Sequence, residues 1–253
     1  MRQQRLGHSD LWISRLGLGT VKLGRDQDVR YPTGFRIPDD RAAGHLLDVA
    51  SELGINLLDT APAYGSSEER LGALLAGRRN RFVLSTKVGE SFEDGASSWN
   101  FSPEAVTDSV RRSLTRLRTD HLDIVLVHSD GRDREIIEHM GTLQALVQLK
   151  QKGLIRAVGI SHKSADGAAC AIDAGCDVIM ATLHPDYVEE LPQIARAAAA
   201  GCGVLVKKAL ASGHAAPASL AFAAAQPGVT AVVIGTINPA HLTANARLIE
   251  SLD

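Results

Sequence analysis

Cysteine is scarce in this chain, and the scarcity is informative. Only Cys170, Cys176 and Cys202 occur among 253 residues, an odd number with no C-x-x-C pair. That suits reduced thiols in a packed interior and a cytoplasmic setting better than disulfides or a zinc site. Long apolar runs are missing too: none reaches the ~18 residues that a membrane-spanning helix needs. The opening MRQQRLGHSD has no apolar core of a secretory signal. The net charge is only −2, so no basic field invites nucleic acid or an anionic membrane. No G-x-G-x-x-G links a strand to a helix. Gly17-Leu-Gly19-Thr-Val-Lys22 breaks that pattern, and a Rossmann dinucleotide site finds no support.

What the chain does contain is a rhythm. Eight short apolar runs are spaced along it: Ser14–Thr20, Ile55–Thr60, Phe82–Lys87, Ile124–His128, Ala157–Ser161, Val178–Thr182, Gly203–Lys207 and Ala231–Gly235. Stretches of helical periodicity separate most of them. Continuous apolar runs alternating with helices are the pattern of parallel strands buried on both faces. Eight such units predict an α/β protein, a (β/α)₈ TIM barrel. That fold takes about 250 residues as one domain, so residues 1–253 are expected to form one barrel domain. Met1–Trp12 carries a turn at Gly7–Asp10 and reads as a β-hairpin before the first barrel strand, covering the barrel bottom.

Helices are expected over about Asp40–Leu53, Ile136–Lys152, Ala165–Ala174 and Ala216–Ala225, with an alanine-rich one ending at Gly201. Ser66-x-x-Glu69 reads as a capping box opening a further helix. Ser102-Pro103 and Asn238-Pro239 read as N-cap plus first-turn proline. Lys22–Pro38 and Glu90–Phe101 are expected to be loops walling a pocket.

A TIM barrel keeps its chemistry at the C-terminal ends of its strands. Most runs end on a polar or reactive residue, so Asp59, Lys87, His128, Ser161 and Lys207 are candidate site residues. Tyr64 follows Asp59 by five positions. A phenol holds its proton to about pH 10, and a nearby ammonium favours phenolate, letting the phenol act as an acid nearer neutral pH. Lys87 is placed to supply that ammonium, Asp59 to hold it, and His128 to complete the ring around a carbonyl oxygen. Taken singly, each has an ordinary role: Asp59 a cap, Tyr64 a packed aromatic, Lys87 a solvated strand end, His128 a partner of backbone groups. Together, at the tips of three consecutive strands, they point to a site.

Through GLGT (Gly17–Thr20), GINLLDTAPAYG (Gly54–Gly65), STKVG (Ser85–Gly89), SLTRLRTDHLDIVLVH (Ser113–His128), GLIRAVGIS (Gly153–Ser161) and VIGTINPAHLTAN (Val233–Asn245), the chain resembles the aldo-keto reductases. The resemblance implies NAD(P)H-dependent reduction of an aldehyde or ketone, or the reverse oxidation of an alcohol or sugar. It gives Tyr64 the role of proton donor, Lys87 that of lowering its pKa, Asp59 that of pairing with Lys87, and His128 that of orienting the carbonyl. It also implies a cofactor, NADP(H) rather than NAD(H), held by Gly19, Thr20, Ser161, His162, Lys207, Lys208, Gly235, Thr236, Asn238, His241 and Asn245. The segment Gly235–Pro239 would present free amides and the positive end of a helix to phosphate.

Several positions depart from the family's pattern. His241 falls where the 2′-phosphate arginine usually stands, with Lys207 and Lys208 offering charge in its place. Lys207 stands where an aromatic usually stacks on the nicotinamide. His162 replaces an asparagine and Met180 a glutamine. No metal site is expected, and the expected partner is a small carbonyl compound.

Other chemistries compete. A class I aldolase-like lyase with Lys87 as Schiff-base nucleophile leaves Tyr64 without a role. A metal hydrolase using His128, His162 and His184 lacks the H-x-H pair of such barrels on the first strand. A non-enzymatic cofactor-sensing module would accommodate the altered nicotinamide contacts.

Overall fold

A computed structural model describes residues 1–29 and 31–252. Eight strands close into a parallel barrel: β3 (Leu16–Gly19), β4 (Leu57–Asp59), β5 (Val83–Val88), β8 (Leu122–His128), β9 (Ile155–Ser161), β10 (Val178–Thr182), β11 (Gly203–Lys207) and β12 (Ala231–Gly235), with β12 pairing back to β3. Around it run α1 (Asp40–Glu52), α2 (Ser67–Leu74), α3 (Pro103–Leu117), α4 (Asp133–Glu138), α5 (Thr142–Gln151), α6 (Ala165–Asp173), α7 (Leu191–Ala199), α8 (Pro217–Ala224) and α9 (Pro239–Glu250). The (β/α)₈ barrel expected from the eight runs is the observed fold.

Strand alternation sorts the side chains into two cores. Leu16, Leu18, Leu58, Leu84, Val125, Val127, Val158, Ile179, Val204 and Val232 point outward and pack under the helices. Leu57, Val83, Ile124, Leu126, Ala157, Val178, Met180, Leu205 and Ala231 point inward. Two or four residues further on, the same inward rows end in Asp59, Lys87, His128, Ser161, Thr182, Lys207 and Gly235. The barrel interior is therefore apolar at its base and polar at its mouth.

The expected N-terminal hairpin is present: β1 (Gln3–Arg5) pairs antiparallel with β2 (Trp12–Ser14). Its Leu6, Leu11 and Ile13 are at most 1% exposed and belong to the inner cluster. They close the bottom of the barrel.

Two predicted caps hold. Ser102 Oγ accepts from the Ala105 amide at 3.3 Å, and Asn238 Oδ1 from Ala240 N at 2.9 Å. Three expectations need correction. The helix read as Ile136–Lys152 is two helices, α4 and α5, because Gly141 sits at φ +71, a left-handed conformation that interrupts the turn between them. Ser66 does not cap α2: its φ/ψ of −81/7 lies outside the extended region a cap needs, and its hydroxyl makes no cap bond. Glu90–Phe101 is not an irregular loop but a hairpin of β6 (Glu90–Glu93) and β7 (Ala96–Trp99). Gly89 at φ +103 turns the chain out of β5 into it, with the Phe101 ring packed where a side chain would stand.

Candidate active site

At the mouth, Lys87 Nζ donates to Asp59 Oδ2 at 2.7 Å and to the Thr60 carbonyl at 2.9 Å. Ser85 Oγ donates to the other Asp59 oxygen at 2.9 Å. The Lys87 ammonium lies 4.7 Å from the centre of the Tyr64 ring, and the His128 ring stands edge-on to Tyr64 at 6.3 Å between centres. The four residues read from sequence as a tetrad are thus brought together. The placement has a cause in the backbone. Thr20 Oγ1 donates to the Asp59 carbonyl at 3.0 Å, and Ser67 Oγ ties Thr20 to the start of α2, fixing the turn that carries Tyr64.

Electrostatics separate the roles. Burial works against the Lys87 ammonium, but Asp59 and Tyr64 outweigh it, and the pKa lies above the ordinary lysine value. A lysine held charged in this way is the reverse of a Schiff-base amine, so the lyase reading through Lys87 gains nothing. Burial pushes the Tyr64 phenol up, and the Lys87 charge and hydrogen bond oppose it without reversing the direction. The expected lowering by Lys87 is present as an influence, but it is not the net result. Burial also lowers the His128 pKa, with Glu90 pulling the other way, so the imidazole is neutral near pH 7.

Glu90 and Arg25 were not read from the sequence. His128 Nδ1 lies 2.7 Å from Glu90 Oε2, while Ser97 Oγ donates to Glu90 Oε1 at 2.7 Å. Burial disfavours the Glu90 carboxylate, but His128, Ser97 and Arg25 bring its pKa down to about 2. Arg25 is 8% exposed, lies 4.0 Å from Glu90, donates to the Ala63 carbonyl at 3.0 Å and stacks 3.5 Å from the Phe92 ring centre. One signal was available for Glu90: it follows Lys87-Val88-Gly89, where a glycine can re-aim the chain over the mouth.

The residues read as cofactor contacts divide. Gly19 and Gly235 are paired neighbours in register on β3 and β12, leaving a rim free of side chains. Tyr31 leans over it, its hydroxyl 2.8 Å from where a Gly235 side chain would begin. Beside that rim, Thr236, Asn238 and the exposed His241 lead into α9, and Asn245 sits two turns along it, half-buried. A bare rim next to the positive end of a helix fits an elongated anionic group such as a dinucleotide. The amides there are not free, however: Asn238 Oδ1 already accepts from Ala240 N and His241 N.

Thr20 is fully buried and turned toward Ser67, not the mouth. His162 follows inward Ser161, so alternation turns its side chain outward; it is buried beside Glu190, 3.3 Å away. Lys207 points inward and donates to Ser161 Oγ at 2.8 Å and the His162 carbonyl at 2.6 Å, away from the Gly19–Gly235 rim. Lys208, one residue past β11 and at φ +58, is exposed. Among the described residues no three His, Cys, Asp or Glu side chains converge as a metal site, so His128, His162 and His184 stay apart.

Residues 15–216 match the model of the aldo/keto reductase family. The chain belongs to the aldo/keto reductase family. Its relatives include an uncharacterised oxidoreductase of Bacillus subtilis, 39% identical over 165 residues, which are 64% of this chain and 49% of that one. An NADH-specific methylglyoxal reductase of Escherichia coli is 34% identical over 179 residues, 66% of this chain and 53% of that one. The aligned segments thus span about half the length of these curated relatives. A crystal structure of a Pseudomonas aeruginosa protein assigned to the aldo-keto reductases superposes with a TM-score of 0.92 at 48% identity, covering 99% of this chain and 94% of that one. In this aldo/keto reductase barrel, the match takes in the strands that carry Asp59, Lys87, His128, Ser161 and Lys207.

Proposed function

We propose that this chain, acting as one barrel domain, reduces an aldehyde or ketone with a reduced nicotinamide dinucleotide, Tyr64 serving as general acid. The convergence of Asp59, Tyr64, Lys87 and His128 at one barrel mouth carries the proposal. The reduced nicotinamide supplies the hydride. Tyr64 donates the proton to the carbonyl oxygen as the alkoxide forms. Lys87 is held charged by Asp59 and stabilises the phenolate left behind. Neutral His128, steadied by Glu90, orients the oxygen. Gly19, Ser161, Gly235, Thr236, Asn238, His241 and Asn245 are the contacts for the cofactor.

NADPH is the preferred form in this proposal. Lys208, not the inward Lys207, is the cation for the 2′-phosphate. The Escherichia coli relative is by name NADH-specific, so titration calorimetry with NADPH and NADH is the first measurement. Heat with neither would overturn the reductase.

Tyr64→Phe tests the acid. It removes one hydroxyl and little volume, so NADPH affinity should hold while carbonyl reduction falls by about 10²–10⁴-fold. Wild-type turnover in the variant would remove Tyr64 from the chemistry.

A further inference from the structure

Lysine is rationed in this chain: seven residues, against twenty arginines. Two of the seven, Lys87 and Lys207, point into the barrel mouth, and their surroundings are opposite. Lys87 is clamped by a carboxylate. Lys207 has only uncharged partners, the Ser161 hydroxyl and the His162 carbonyl. Among the described residues no carboxylate oxygen lies within 4.0 Å of its nitrogen. Lys207 is partly buried, and an ammonium carries three donors, so the protein supplies one acceptor too few and leaves the third donor to solvent. A neutral amine has two N–H bonds, which the two acceptors satisfy, and keeps its lone pair unengaged.

We propose that Lys207 is a nucleophilic amine that captures an aldehyde as a Schiff base at the barrel mouth. The Nζ lone pair forms a C–N bond to the carbonyl carbon. The C=O π pair moves to oxygen, which takes up the proton the nitrogen sheds, relayed through the Ser161 hydroxyl at 2.8 Å. The carbinolamine then loses water to give the imine. Nothing is oxidised or reduced, and no co-reactant is needed.

The charged groups around Lys207 support this. Burial lowers its pKa most, and Lys208 and Lys87 lower it further; Glu190 and Asp133 pull it up, and the balance brings it down to about 7. Buried His162 faces outward from the mouth, yet its own pKa is brought down to about 4 by burial and by Lys207. His128 is lowered in part by Lys207. An amine desolvated and flanked by other cations is a recognised way to make lysine nucleophilic. At pH 7 about half of such an amine is neutral, against about one part in a few thousand for an ordinary lysine of pKa 10.4.

The experiment uses the whole chain, D-glyceraldehyde and sodium cyanoborohydride, with no nicotinamide present, so a failed reductase leaves it intact. Peptide mapping should place the reduced adduct on Lys207 at pH 7, at least about tenfold ahead of exposed Lys152 and Lys163. Labelling of Lys207 should level off above about pH 7, while the surface lysines keep rising towards pH 10. Lys207→Arg, which keeps a charge, should lose that adduct alone. Equal labelling of Lys207 and the surface lysines, or a Lys207 profile that climbs with theirs, overturns the proposal.

Discussion

Tyr64 is a phenol under two opposing influences, and their difference makes its acidity tunable. Burial raises its pKa, while the Lys87 ammonium 4.7 Å from its ring lowers it. Lys87→Met should therefore cost turnover and move the titration of the acid upward in pH. Asp59→Asn should cost less, since the ammonium remains but is less firmly held. The double change should cost little more than Lys87→Met alone, because members of one unit are not additive. A pH–rate profile unchanged in Lys87→Met would break that unit. Glu90 offers a second test. Its carboxylate raises the His128 pKa against burial, so Glu90→Gln should shift the His128 titration, followed by NMR, to lower pH; an unmoved titration would uncouple the pair.

Glu190 gives a residue-scale prediction about stability. Its carboxyl is buried, and burial raises its folded-state pKa from the ordinary 4.5 to about 7. Between those values the folded chain holds the proton more tightly than the unfolded chain. Its contribution is thus present at low pH and is lost as pH rises through 7. Glu190→Gln should stabilise the protein at pH 8, by at most about 3 kcal/mol, with the gain shrinking towards zero near pH 4.5. Neighbouring His162, with its pKa lowered to about 4, acts in the opposite sense between about pH 4 and 6.5, so variant and wild type must be compared at each pH by urea unfolding. A difference that does not vary with pH would refute the assignment.

At the scale of elements, caps and breaks differ in how local their causes are. Ser102 and Asn238 could be read from sequence because an N-cap followed by proline is fixed within a few residues. Ser66 looked equally good by composition, but the buried Thr20–Ser67 link sets the entry to α2, leaving the Ser66 backbone in the wrong region. Ser102→Ala should cost about 1 kcal/mol and Ser66→Ala a few tenths at most. Similar costs in the two would restore the capping box. The break at Gly141 was hidden because apolar spacing runs on through it. There Gly141→Ala places a side chain at positive φ, 3.1 Å from Pro103, and should cost about 1–2 kcal/mol in unfolding experiments.

For the whole molecule, the strands were legible because parallel barrel strands are buried on both faces and read as unbroken apolar runs. The same alternation made most of the site legible: Asp59, Lys87, His128, Ser161 and Lys207 share one parity with the inner apolar rows. Applied strictly, it also turns His162 away from the mouth. Glu90 and Arg25 escaped, because the hairpin and loop that bring them over the mouth have no period to read. The direction in which Lys207 reaches escaped too, since it depends on which acceptors the fold offers.

The hairpin residues Leu6, Leu11 and Ile13 seal one end of the barrel, and this has a kinetic consequence. A cup with a single opening has no separate entrance and exit. Whatever binds deeper must arrive first and depart last, because the second arrival blocks its only way out. Turnover should then follow a compulsory order. With the dinucleotide on the Gly19–Gly235 rim, as proposed, it should bind before the carbonyl compound and leave after the product. Product-inhibition patterns would register this as competition between the oxidised and reduced dinucleotides alone.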